Sequence, residues 1–206
     1  MPPAHAAHLL TRQSHRNRGA SPITFLGDLT MARARVHELC GGSRRLLALT
    51  IAQGLTGTIY WIRPSWTPER LNPDGILRFV DPSRFVFLSP KRPEDLLWTM
   101  EETLRAGIIP LVVADLPGPP GLTAIRRLHL AAETGAESSG NPPLGLVLTP
   151  GEGGAPGVES RWSLTSTHPD PRTEGWQLAR LRARTDTEKQ WRVSGAKTGL
   201  LLDQVD

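Results

Sequence analysis

From Arg35 onward, apolar residues fall into short uninterrupted runs separated by stretches of helical period. The run 108–114 (IIPLVVA), closing on Asp115, is nearly all apolar and suits a central parallel strand covered on both faces. Pro110 within it cannot donate to a ladder, so the hydrogen-bonded strand is expected to start after it. Similar runs predict strands over 36–40, 58–62, 85–88 and 144–149. Residues 46–55 (LLALTIAQGL) predict a buried helix, and a short helix is expected around 74–79 in the proline-rich connection 64–82.

The clearest helix starts at Pro93, where a missing N–H costs nothing. Glu94 and Asp95 complement the positive end of its dipole and Arg105 the negative end. Leu96, Leu97, Met100 and Leu104 form one apolar stripe, and Gly107 is a natural stop. A second helix is predicted over 122–134, with Ile125, Leu128 and Ala132 inward and Arg126 and Arg127 outward. After the glycine-rich segment 151–157 the period changes to two. Val158, Trp162 and Leu164 alternate with Glu159, Arg161 and Ser163, as in a half-exposed antiparallel strand. Residues 176–184 and 190–194 read as further strands of that kind. This order predicts an α/β fold: a mainly parallel sheet with flanking helices, finished by a C-terminal antiparallel meander. The domain is expected over residues 31–194, with a disordered basic tail over 1–30 (or a start codon placed too early) and a loose tail over 195–206.

Charge changes this picture little. Of 24 Lys and Arg, seven arginines lie in residues 1–45 against only Asp28 and Glu38, leaving 17 basic and 18 acidic residues in the body. The sequence pI of about 10.0 therefore reflects the N-terminal segment rather than a basic DNA-binding surface. No apolar run approaches the roughly 20 residues that span a bilayer. A lone Cys40 rules out an internal disulfide and fits a reducing cytoplasm, the expected location.

Candidate chemistry centres on the first strand-to-helix turn, Cys40-Gly41-Gly42-Ser43-Arg44-Arg45-Leu46. A working phosphate loop needs G-x-x-x-x-G-K-[ST], with lysine on the phosphates and a hydroxyl on magnesium. Here the loop is several residues short, Arg44 and Arg45 stand near the lysine position, and no Ser or Thr follows. Three readings remain: a glycine-rich turn bearing two solvated arginines, a weakened nucleotide or anion site, or a contact to DNA phosphate. Asp115 stands where P-loop enzymes hold magnesium, as a relic or a structural cap. No acid capable of activating water follows strand 58–62 before Glu69. Trp61 and Trp66 are either core or an exposed anchor for a partner. Arg180, Arg182 and Arg184, sharing a strand face, could meet DNA or an acidic partner, or simply blunt an edge strand. The histidines at 5, 8, 15, 37, 129 and 168 form no metal spacing with Cys40, and no catalytic triad is visible.

Taken together, RVHELCG (35–41), TIYWIRPSWTPERLNPDG (58–75), FVFLSPKRPEDLLWTMEETLRAG (85–107), PLVVADLPG (110–118) and LTAIRRLHLAAETGA (122–136) resemble the RecA superfamily. Within it the similarity, spanning roughly 25–193, is to the ImuA-like proteins of bacterial mutagenesis cassettes, in their alphaproteobacterial form. The resemblance implies a RecA-like fold and a place in the SOS response to DNA damage. It also implies partnership with ImuB, an inactive Y-family polymerase relative, with the alpha subunit of an error-prone polymerase, and with RecA itself.

The departures from that family matter as much. The Lys-Thr of the RecA phosphate loop is missing over 41–47, and the acid after the second strand is replaced within 63–65. Thr149-Pro150 stands in place of a polar sensor, and the mobile DNA-binding loop is reduced to 151–157. No catalytic residue, metal or ATP-Mg cofactor is therefore expected. The sequence points to a noncatalytic scaffold in error-prone translesion synthesis. The alternatives are a DNA-dependent ATPase of unusual loop geometry and a cell-division inhibitor of the SulA type.

Overall fold

A computed structural model describes residues 21–167 and 174–203 of the chain. Eleven strands and four α-helices follow one another in these residues. A short hairpin, β1 (Ile23–Phe25) and β2 (Leu29–Met31), precedes β3 (Arg35–Cys40). Then come α1 (Arg44–Gln53), β4 (Ile59–Ile62), α2 (Pro73–Leu77), β5 (Phe85–Leu88), α3 (Pro93–Ala106), β6 (Leu111–Asp115), α4 (Leu122–Ser139) and β7 (Leu144–Leu148). Four strands close the chain: β8 (Ser160–Ser166), β9 (Gly175–Ala183), β10 (Lys189–Ala196) and β11 (Gly199–Leu202).

Nine strands form one mixed sheet in the order β11-β10-β9-β8-β3-β7-β6-β4-β5. The six from β8 to β5 run parallel, and β9, β10 and β11 continue the sheet antiparallel. From β3 the chain steps outward to β4 and β5, then back through β6 and β7. Crossovers of one hand must then put the outbound helices on one face and the returning helices on the other. Two cores follow from this. Leu47, Ile51 and Ile76 of α1 and α2 pack with Leu39, Trp61, Val113 and Leu146. Leu96, Met100, Ile125 and Leu128 of α3 and α4 pack with Val36, Ile62, Val112 and Val147. Every residue of β3, β6 and β7 is buried, as the apolar runs of β6 and β7 require, and in β3 this takes Arg35, His37 and Glu38 inside as well.

The helix signals at α3 act as expected. Pro93 opens it, Glu94 and Asp95 occupy its first turn, and Gly107 ends it in the left-handed conformation at φ 70°. Helix α4 runs to Ser139, past the predicted end at Thr134. The reason is packing: Gly135 is no breaker, because a side chain there would run into the Leu104 carbonyl of α3. Among the described residues, no helix is long and apolar enough to cross a membrane.

Both ends correct the expected tails. Within 21–30, Ile23, Phe25 and Leu26 are buried, and Phe25 meets Trp162 edge-on at 5.3 Å between ring centres. Residues 1–20 lie outside the described residues. At the other end, residues 195–203 are not a loose tail. Strand β10 reaches Ala196, whose carbonyl accepts from Arg78, and β11 folds back on it with Leu200 buried. Strand β8 also differs from expectation, because it pairs parallel with β3 and only its other edge, toward β9, is antiparallel.

Candidate functional site

In open α/β sheets, ligands bind in a crevice beyond the C-terminal ends of the parallel strands. Here that edge gathers the turn after β3, Asp115 at the end of β6, and the loop 149–157 after β7. The turn is shaped by Gly41, at φ 84°, where a Cβ would come within 2.5 Å of the Leu164 carbonyl oxygen. Three of its amides are already engaged. Gly41 N–H donates to the Gly151 carbonyl at 2.9 Å, Ser43 N–H to that of Leu164 at 2.9 Å, and Arg44 N–H to that of Gly41 at 3.3 Å. Three of the amides that could cradle a phosphate are thus turned to neighbouring backbone.

The two arginines are half-buried and paired with an acid, rather than free in solvent as the simplest reading of the turn expects. Arg45 Nε donates to Asp115 Oδ2 at 2.5 Å, and Arg44 Nη2 lies 3.8 Å from Oδ1. Two cations in the first turn of a helix oppose its dipole, and α1 has neither an acid there nor a side-chain cap. The buried Asp115 carboxylate offsets both. The turn after β3 and the end of β6 therefore meet through ion-pair partners 70 residues apart in sequence. Gly42 takes no part in these contacts, and its Cα faces open space.

A second acid at this edge went unnoticed in the sequence. Glu38, on β3, is fully buried, and its carboxylate accepts from Thr149 Oγ1 (2.7 Å), Gly154 N–H (2.9 Å), Ala155 N–H (3.1 Å) and Arg161 Nε (2.5 Å). The sequence signal was available in hindsight: an acid beside Val36, Leu39 and Cys40 in a strand of an α/β sheet needs a partner once that strand is buried. Where an acid would follow β4, Arg63 is buried instead and donates to the Pro64 and Thr67 carbonyls, while Glu69 is exposed. Trp61 is core, whereas Trp66 is 47% exposed.

Arg180, Arg182 and Arg184 do not share a face. A β-bulge shifts the register so that Arg180 opposes Trp162 while Arg182 opposes Arg161, the next residue back. Leu181 is the extra residue, and it sends Arg182 to the opposite face from Arg180. Arg180 sits over the rings of Trp162 and Trp191, 5.5 and 5.6 Å from their centres, and pairs with Asp186 at 3.2 Å. Arg182 is exposed, and Arg184 lies 4.0 Å from Glu159.

His37 and His129 flank the start of β3 and β8. His37 contacts Ser160 Oγ through Nδ1 (2.7 Å) and the Ala32 carbonyl through Nε2 (2.9 Å). His129 Nδ1 accepts from Val36 N–H at 3.3 Å, leaving Nε2–H for the Gly157 carbonyl at 3.2 Å. Burial is the main cause that lowers both imidazoles to about 4. Burial likewise pushes the Cys40 thiol up, away from reactivity. Among the described residues no three His, Cys, Asp or Glu are grouped as a metal site; His5, His8, His15 and His168 lie outside them.

Comparison of the chain with models of known protein families and with curated proteins gives no match.

Proposed function

We propose that this chain is a noncatalytic RecA-like scaffold in damage-induced, error-prone translesion synthesis. It would act through its surfaces on an ImuB-type polymerase relative and the alpha subunit of an error-prone polymerase, with RecA as a further contact and DNA touched weakly. One observation carries the noncatalytic half: Asp115 is held by Arg45 and Arg44, the residues standing where a phosphate-binding lysine would be. A metal ion would have to displace two guanidinium groups to reach that carboxylate, and the Gly41, Ser43 and Arg44 amides of the turn already have acceptors. The mainly parallel sheet, with helices on both faces and an antiparallel extension, supports the RecA-like reading of the fold. The sequence resemblance over roughly 25–193 supports the role.

The biochemical test is direct. Purified full-length protein is expected neither to bind ATP-Mg at micromolar concentration nor to hydrolyse it when single-stranded DNA is added. Binding together with DNA-stimulated hydrolysis would overturn the reading. In cells, deletion should lower damage-induced mutation frequency; filamentation on overexpression, with mutagenesis unchanged in the deletion, would favour the division-inhibitor alternative.

A further inference from the structure

At the opposite end of the parallel strands from the crevice, the loops entering β3, β4, β6 and β7 surround a cavity of about 520 Å³. That volume lies within the range of small-ligand sites. Its walls are held in place by specific contacts. Arg84 donates through Nε to the Gly57 carbonyl at 2.7 Å and through Nη2 to that of Leu55 at 2.8 Å, occupying acceptors just past the end of α1. Gly57, at φ 86°, passes so close to Pro110 that a Cβ there would stand 3.3 Å from the proline ring. Across the cavity Arg33 donates through Nη2 to Asn141 Oδ1 at 2.8 Å. Asparagine is neutral, so this bond orients the guanidinium without cancelling its charge. Burial lowers the pKa of that group, as expected of a charge partly withdrawn from water.

Among the described residues that line the cavity there is no Asp or Glu, and Arg33 supplies the charge. A single guanidinium suits a single negative charge, and its planar fork matches the two oxygens of a carboxylate. Thr56 and Thr58 stand on the same wall, with hydroxyls able to donate to such a group. The lip is apolar. Pro110 forms part of it, and Ile108 beside it is 71% exposed. One exposed isoleucine needs no explanation by itself. Next to a cavity walled by a cation, it offers the contact that the apolar body of an organic acid requires. We propose that this cavity binds a monoanionic carboxylate with a short apolar body, as a free acid or as the end of a peptide, with Arg33 as the anchor and Ile108 and Pro110 as the apolar seat. The site is separate from the crevice and does not depend on how the crevice is read.

Calorimetric titration of the full chain with N-acetyl-leucine, and with N-acetyl-leucinamide as its uncharged counterpart, tests this. The acid should bind about tenfold tighter than the amide or more, the usual worth of a charge-assisted hydrogen bond. In nitrogen–proton NMR spectra the amides of residues 55–58 and of Asn141 should shift during the titration, while those of 151–157 in the crevice stay in place. Arg33→Gln should remove the preference for the acid. Ile108→Ser, at so exposed a position, leaves the core untouched and should weaken both ligands a few-fold, which decides the matter if Arg33→Gln does not fold. An acetylated pentapeptide ending in leucine separates the two sources: tighter binding than N-acetyl-leucine assigns the site to chain ends, equal or weaker binding to free acids. No binding of the acid, equal binding of acid and amide, shifts confined to other residues, or affinities unchanged in the variants would each overturn the site.

Discussion

An imidazole that accepts a backbone N–H cannot take a proton without losing that bond. His129 is in this position, its Nδ1 facing Val36 N–H, and His37 offers Nδ1 to Ser160 Oγ, which also accepts from Trp162 Nε1. Arg35 lies nearby, paired with Glu133 and Glu159, and its charge adds to the penalty on both rings. Because the folded values near 4 lie below the ordinary 6.5, the unfolded chain takes up protons first as pH falls. Stability from this source is complete above pH 6.5 and drains away toward pH 4, by roughly 3 kcal/mol for the fully buried His37 and less for His129. Urea midpoints measured from pH 7.5 to 4.5 should fall steadily, and His129→Gln should flatten the slope; an unchanged slope would refute the assignment. At this scale the sequence was half legible. Arg44, Arg45 and Asp115 were recognisable as positions of one site, but their mutual pairing was not, because only the sheet brings residue 45 to residue 115. Glu38 escaped notice because its partners, Thr149, the 154–155 amides and Arg161, lie more than a hundred residues downstream.

Helices α3 and α4 touch through two glycines. A Cβ on Gly135 would collide with the Leu104 carbonyl and stand 2.9 Å from the Gly107 Cα, and these are backbone atoms that cannot rotate away. Gly135→Ala would gain helix propensity if α4 were isolated, but here it must push the helices apart. The expected result is a loss of about 1–3 kcal/mol, the usual range for overpacking, seen as a lower thermal midpoint. A neutral or raised midpoint would mean the helices have room to separate. Elements with strong local signals were readable: α3 carries its proline, its acids and its terminal glycine, and β6 its unbroken apolar run. Strands β1 and β2 were not, since three residues are too few to display a period, and β11 was hidden in a sequence with no pairing signal of its own. The bulge at Leu181 was invisible for a related reason. Alternation predicts a face only while the register holds.

For the molecule as a whole, the succession of strands and helices was enough to foresee a mainly parallel sheet with an antiparallel extension. It could not foresee that β8 would lie parallel against β3. That placement surrounds β3 with late partners: residues 35–39 pair with 144–148, and 38–40 with 161–163. Long-range pairing of this kind slows folding, because the entropy of closing a large loop is spent before the contacts form. Refolding from urea should therefore run on the scale of about a tenth of a second or longer, and a microsecond phase carrying the full amplitude would contradict the strand order. During synthesis the consequence is sharper still. The central strand leaves the ribosome more than a hundred residues ahead of both its neighbours, and at roughly 5–20 residues per second its apolar side chains wait many seconds uncovered. A nascent chain with so late a closing step is a natural client for a chaperone.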